Sequence, residues 1–215
     1  MRKIFFPIIA LAGLVITLSA YKKNVTGNEP DTTVSPTFAP TKWSIDKAHS
    51  NVKFTVTHLV ISEVEGYFKL FDGTLEYSKP DFSDAKINFT VDVNSINTDN
   101  ENRDKHLKSD DFFSAEKFPQ MKFESTSFTS VGTNKYKLVG NLTIRDVTKP
   151  ATFDVTYGGT ANMGKTVKSG FKAKGTINRF DYGLKWDRAT EAGGMVVGKD
   201  VEITVNAELN QAPAQ

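Results

Sequence analysis

From Trp43 onward apolar and polar residues alternate with a period of two. Val52, Phe54, Val56 and His58 alternate with Asn51, Lys53, Thr55 and Thr57, and Ile87, Phe89, Val91 and Val93 with Asn88, Thr90 and Asp92. The same rhythm carries Tyr136 to Ile144, Phe153 to Tyr157, Phe171 to Ile177 and Val201 to Leu209. Alternation of this length predicts antiparallel strands with one dry face and one wet face. It places Phe54, Val56, Phe89, Val91, Leu142, Phe153, Phe171 and Ile203 on the dry face. Lys53, Asn88, Thr90, Asn141, Lys172 and Glu202 fall on the wet one. Turn signals between the runs stand at Asp72-Gly73, Lys79-Pro80-Asp81, Thr133-Asn134, Lys149-Pro150, Gly158-Gly159 and Gly193-Gly194.

One stretch departs from the rhythm. Thr98 to Phe113 reads TDNENRDKHLKSDDFF. Thr98 or Asp99 caps a short predicted helix, on which Arg103, His106 and Leu107 share a face. Ser109-Asp110 is placed to cap a second turn before Phe112 and Phe113. Many strands with a single dry face must close on themselves or stack as two sheets. The long runs favour closure, so the expected fold is all-β: an antiparallel barrel of about eight strands with a short helical insert. A barrel of that size either fills with side chains or holds one small ligand.

The start of the chain is different. Met1-Arg2-Lys3 precedes an uncharged stretch from Ile4 to Tyr21, largely apolar from Ile8 to Leu18. This predicts an export signal over residues 1–20, the alternative being an uncleaved membrane anchor. Leu18-Ser19-Ala20 resembles a bacterial lipobox, but Tyr21 stands where the lipid-bearing cysteine would be, and a phenol cannot form the thioether. Residues 21–41, with Pro30, Pro36 and Pro40 among small polar residues, read as a flexible linker. The barrel domain is expected over 42–210, followed by a short tail over 211–215.

Composition narrows the function. The chain has 215 residues, no cysteine, and 27 Lys+Arg against 25 Asp+Glu. The +2 excess lies in the first 41 residues, so the domain itself is neutral and has no basic footprint for nucleic acid. The lack of cysteine removes disulfide scaffolds, thiolate metal sites and thiol nucleophiles. His49, His58 and His106 show no metal-ligand spacing, and no nucleophile elbow or phosphate-binding loop occurs. These spacings point to no catalytic residue and no metal ligand. His58 ends an inward stripe and is either a packed core residue or a ligand contact.

Several motifs in order resemble the YceI-like family. They are Trp43-x-Ile45-Asp46-x-x-His49-Ser50-x-Val52-x-Phe54-x-Val56-x-His58 and Val64-x-Gly66-x-Phe68-x-x-Phe71-x-Gly73. Arg103-Asp104-x-His106-Leu107-x-Ser109-x-Asp111-Phe112-Phe113 follows, then Gly140-x-Leu142-Thr143-Ile144-x-x-Val147-Thr148-Lys149-Pro150 and Arg179-x-Asp181-Tyr182-Gly183. The resemblance spans about residues 43–209. It implies a lipocalin-like barrel, exported, holding a polyisoprenoid or an isoprenoid-tailed quinone lengthwise, with homodimers common among relatives. No cofactor beyond such a lipid is expected, and no nucleic acid. Membrane proximity would come through the N-terminus, in the periplasm or at a bacterial membrane. The insert is placed to cover a mouth, where Arg103 could fork onto a diphosphate or quinone carbonyl beside His106. Alternatively Arg103 pairs with a carboxylate and pins the insert. Two further functions compete with a lipid carrier. One is an enzyme acting on an isoprenoid or quinone through His58, His106 or Arg103; the other is a packed-core structural or adhesion barrel.

Overall fold

The structure is a computed structural model that describes residues 40–188 and 195–213. Its strands are β1 (Thr41–Ile45), β2 (Asn51–His58), β3 (Ser62–Phe68), β4 (Phe71–Tyr77), β5 (Lys86–Asp92), β6 (Ile96–Asn97), β7 (Gln120–Gly132), β8 (Lys135–Ile144), β9 (Val147–Asn162), β10 (Val167–Asn178) and β11 (Val197–Gln211). One helix, α1 (Glu101–Lys108), lies between β6 and β7.

Three consecutive pairs of segments continue one another. Strand β11 pairs with β2 through Val201–Asn206 and with β1 through Leu209–Gln211. Likewise β3 pairs with β2 while β4 pairs with β1, and β6 pairs with β3 while β5 pairs with β4. The short strands β1–β2, β3–β4 and β5–β6 are therefore three long, bent strands. With β7 to β11 they make eight, antiparallel and up-and-down, closed by β11 against β1 and β2. Closure removes the unpaired edges that an open sheet would expose. The upper end carries the β2–β3 turn, the insert from Thr98 to Pro119, the β8–β9 turn and residues 179–188 after β10. The lower end carries the other hairpin turns and the entry and exit of the domain.

Strand parity follows the predicted register. Phe89, Leu142, Phe153 and Phe171 pack in the core, whereas Asn88, Asn141 and Lys172 are exposed; Lys53, Thr90 and Glu202 are half-buried on the outer face. Thr204, also outward, is buried at 7% exposure between Lys53 and Lys174 in the ladder.

Three predicted turns are instead strand. Asp72-Gly73 lies inside β4, where Gly73 is covered by the Phe89 ring. Lys149-Pro150 lies inside β9; Pro150 is tolerated because β9 begins pairing with β10 only at Asp154, so its missing N–H has no partner to disappoint. Gly158-Gly159 forms a bulge in β9, with Gly159 at φ +110° and a register shift opposite Gly170 and Phe171. The β8–β9 reversal falls at Arg145-Asp146, and Arg145 holds φ +57°. The helix cap is Asn100, whose side chain accepts from the Arg103 N–H, rather than Thr98 or Asp99. The segment 1–39, including the predicted signal and most of the linker, and Gly193-Gly194 lie outside the described residues.

Candidate ligand-binding cavity

The inner faces of the strands line a partly open cavity of about 160 Å³, whose wall presents almost no polar atoms. Phe54, Phe89, Phe123, Phe153 and Phe171 line it, with Val91, Leu142, Ile203 and Val205 among the aliphatic residues. A barrel of large side chains could have packed solid. It stays hollow because four inward glycines let phenyl rings lie back against the wall. A Cβ on Gly66 would stand 2.4 Å from Phe54 Cζ, and one on Gly140 2.4 Å from Phe123 Cζ. Gly73 sits under Phe89 and Gly175 under Phe153 in the same way, at 2.6 and 2.7 Å. Each glycine is on the strand next to its ring. Aromatic cover of an in-strand glycine compensates its missing side chain, and here it also keeps the rings out of the lumen.

The lower end is corked. Phe82, in the loop between β4 and β5, turns inward at φ +60° and is 6% exposed. Its ring meets those of Tyr77, Tyr157, Tyr136, Phe171 and Phe128 at 4.6, 5.3, 5.7, 5.9 and 6.3 Å. These are mostly edge-on contacts, the arrangement the ring quadrupole favours.

The upper end is roofed by the insert and residues 179–188 after β10. Phe113 packs edge-on against Phe68, and Phe112 is buried beside Trp186. The roof is fastened by Arg179, only 3% exposed. Its guanidinium donates to the carbonyls of Leu184 (2.6 Å), Trp186 (2.8 Å), Gly198 (2.8 Å) and Val197 (2.9 Å), and lies over the Phe180 ring at 4.5 Å. Burial lowers the affinity of this group for its proton, partly offset by Asp187. Arg145 adds a second tie, donating to the carbonyls of Gly183 (3.2 Å) and Phe112 (3.3 Å).

Of the residues singled out from sequence, Phe54, Phe89, Val91, Leu142, Phe153, Phe171 and Ile203 line the cavity. Val56 and His58 do not; they sit higher on β2, paired with Val64 and Ser62 in the β2–β3 hairpin. Arg103 and His106 are also absent from the wall. Arg103 is exposed and folds back on its own segment, donating from Nε to the Thr98 hydroxyl (2.8 Å) and from Nη2 to the Thr98 carbonyl (2.7 Å). It pins the insert, though through Thr98 rather than a carboxylate. His106 pairs with Asp111 (2.8 Å) and stands edge-on to Phe112 and Trp186. Both are drawn outward by local partners that strand and helix periodicity do not reveal. Phe82 sits in a loop and Arg179 just beyond a strand, where parity has nothing to say; only the Arg179-x-Asp181-Tyr182-Gly183 motif marks the second.

A polar cluster lies where β1 bends into β2. Lys168 Nζ bridges Asp46 (2.7 Å) and Glu208 (2.6 Å), and His49 Nδ1 approaches Asp46 at 3.0 Å. Asp46, His49 and Glu208 offer ligand-type atoms close together, but the ammonium occupies the space between the carboxylates. The Lys168 hydrogen bond, and then that of His49, hold the Asp46 carboxyl well below its ordinary value of 3.8. A depressed carboxyl contributes stability that is complete above its unfolded value and lost as pH falls toward the folded one. The melting temperature should therefore fall below about pH 4, and Asp46→Asn should flatten that decline. A thermal denaturation series in which both proteins fall in parallel would contradict the assignment.

These features define a lipocalin-like barrel: closed, antiparallel, up-and-down, corked at one end and apolar within. The chain belongs to the YceI-like family, whose domain model matches residues 43–209. A UPF0312 protein of Staphylococcus aureus strain N315 is 41% identical over 172 residues, covering 79% of this chain and 98% of the relative. A YCEI protein of Campylobacter jejuni superposes with a TM-score of 0.62 at 33% identity, over 78% of this chain and 96% of that one. A domain from Saccharophagus degradans, described as polyisoprenoid binding and implicated in plant cell wall breakdown, shares the fold. Its TM-score is 0.56 at 16% identity, over 79% of this chain and 98% of that one.

Proposed function

We propose that this protein is a non-catalytic carrier that encloses an isoprenoid lipid, either a polyprenyl chain or the tail of an isoprenoid quinone. It works as an exported protein, in the periplasm or at a membrane of a bacterium. The observation that carries the reading is the hollow, apolar barrel itself. At about 24 cal/mol per Å³, 160 Å³ left dry and empty would cost at most roughly 4 kcal/mol, against a typical domain stability of about 5–15 kcal/mol. A hydrocarbon chain recovers that cost, and flexible rings can move aside for a longer one. The isoprenoid class is supported by the family and by the described ligand of the Saccharophagus domain. The lack of catalysis is supported by the wall: His58, His106 and Arg103 all lie outside it. Export is supported by the basic-then-apolar pattern of residues 1–20.

Reloading tests this. Delipidated protein titrated with a polyprenol to a hundredfold excess over Kd should gain about 2.7 kcal/mol. That corresponds to a rise of roughly 5–10 °C in Tm for a domain of this size. An unchanged Tm would contradict the proposal.

A further inference from the structure

We propose that the β2–β3 turn, Leu59-Val60-Ile61, is a membrane-contacting tip that dips into an electrically neutral lipid surface and sets the upper end of the barrel against it. The proposal rests on reading the cavity as a lipid site. Leu59, Val60 and Ile61 are 40%, 67% and 86% exposed. Among the described residues the other large exposed apolar side chains, Leu70, Val131 and Met163, stand singly. Isolated ones are ordinary, whereas a contiguous exposed apolar run marks a contact surface.

The turn does not need these residues in order to form. Leu59 and Val60 hold φ +51° and +66°, a region that Gly, Asn and Asp enter easily and a β-branched residue resists. An Asn-Gly pair would make the same reversal with less strain. The apolar identity therefore runs against local preference and against solvation together, without burial to offset either.

The position fits a docking tip. The lower end is closed by the Phe82 cork, so exchange belongs to the upper end. There, β6 covers β3 only at Tyr67 and Phe68, while β2 and β3 continue their pairing out to His58 and Ser62. The hairpin thus projects beyond β6 beside the insert, with β11 alongside it on the other flank: Val197 pairs with His58, and the Leu59 N–H donates to the Val196 carbonyl at 2.9 Å. Set in a bilayer, it would bring the mouth to the lipid, and an apolar chain would pass between them without crossing water.

Charge and area choose the occupant. No Lys or Arg occurs from Phe54 to Val64. The outer faces of the neighbouring strands carry Glu63, Glu65, Asp200 and Glu202 around one groove, with Lys53, paired to Glu65 at 2.8 Å, as the one cation on its lining. An anionic surface would be repelled, so zwitterionic lipid is favoured. A second copy of the chain is a poorer fit. Three side chains at a convex tip offer at most a few hundred Å², short of the roughly 800 Å² per partner of a stable interface.

Vesicle flotation tests the tip, using the wild type and a triple variant, Leu59→Asn, Val60→Gly and Ile61→Thr. The wild type should float with phosphatidylcholine vesicles, and replacing a third of the lipid with phosphatidylglycerol should not increase the floated fraction. The variant should lose about tenfold in partitioning, melt no lower than the wild type, and still yield the same extracted cargo. Equal flotation of the two proteins, or no flotation of the wild type, would overturn the proposal. So would a wild-type dimer in sedimentation equilibrium that the variant loses. Tip-dependent flotation of a protein whose cavity proves to hold no lipid would leave the tip standing and sink the cavity reading alone.

Discussion

Arg179→Met should melt roughly 6–20 °C below the wild type, the largest loss of stability expected from any single change here. The methionine keeps the apolar stem but removes a guanidinium that serves four carbonyls, those of Leu184, Trp186, Val197 and Gly198. The guanidinium is 3% exposed and its bond to Leu184 is buried, while the other three bonds are half-buried. Leaving one buried acceptor unpaired costs about 1–3 kcal/mol. The four act as a unit and do not add, so a total of about 3–5 kcal/mol is expected, by analogy with breaking a buried pair. At about 2–4 °C per kcal/mol for a domain of this size, that gives the stated shift. Arg179→Lys should recover little, because an ammonium cannot fork to four oxygens in different directions. The function should follow the structure: with the roof loosened, cargo should exchange faster even at temperatures where the barrel remains folded. Circular dichroism melts showing Arg179→Met within 2 °C of the wild type would remove Arg179 from this role.

Ala173→Phe should empty the barrel of its cargo while leaving it folded. Ala173 sits on β10 between Val155 of β9 and Val205 of β11, and all three line the cavity. No glycine underlies it on a neighbouring strand, so a new ring there must project into the lumen instead of lying back against the wall. The variant gains back part of what the void costs, at most roughly 4 kcal/mol. It loses about 1–3 kcal/mol wherever the ring strains its neighbours. The apo protein should therefore melt within a few degrees of the wild type, and the bound lipid should fall by about tenfold or more. Lys172→Phe, one residue away on the outer face, is the control and should keep its cargo. A full complement of lipid in a folded Ala173→Phe protein would show that the ligand does not lie where the wall predicts.

What the amino-acid sequence makes visible here is parity. Phe54, Phe89, Leu142, Phe153, Phe171 and Ile203 were placeable on the inner face because each sits in a long run of period two, and a slip of one residue would turn a whole strand inside out. The hollow was not visible in the same way. Gly73 and the Gly158-Gly159 pair look like turn glycines until the neighbouring strand shows a ring over one and a bulge at the other. Hollowness is a property of two strands at once, a glycine on one and a phenylalanine on the next, and a single run carries no register between strands. Arg103 and His106 show the opposite failure. Their shared helix face was readable, but the direction of their side chains was set by Thr98, Asp111 and Trp186, contacts made after the insert folds down. Phe82 belongs to a turn with its own signal, Lys79-Pro80-Asp81, yet nothing local says that the next residue points inward to meet five rings.

Whether the apolar barrel carries an isoprenoid can be read from the protein's own cargo. Protein purified without detergent from a bacterium that makes it can be extracted into chloroform and methanol, and the extract weighed by mass spectrometry. One lipid class is expected at close to one molecule per chain, its masses stepping by whole isoprene units, with near absence from Ala173→Phe protein prepared in parallel. A stoichiometric fatty-acyl lipid, or an extract no richer in lipid than that of the variant, would contradict an isoprenoid cargo.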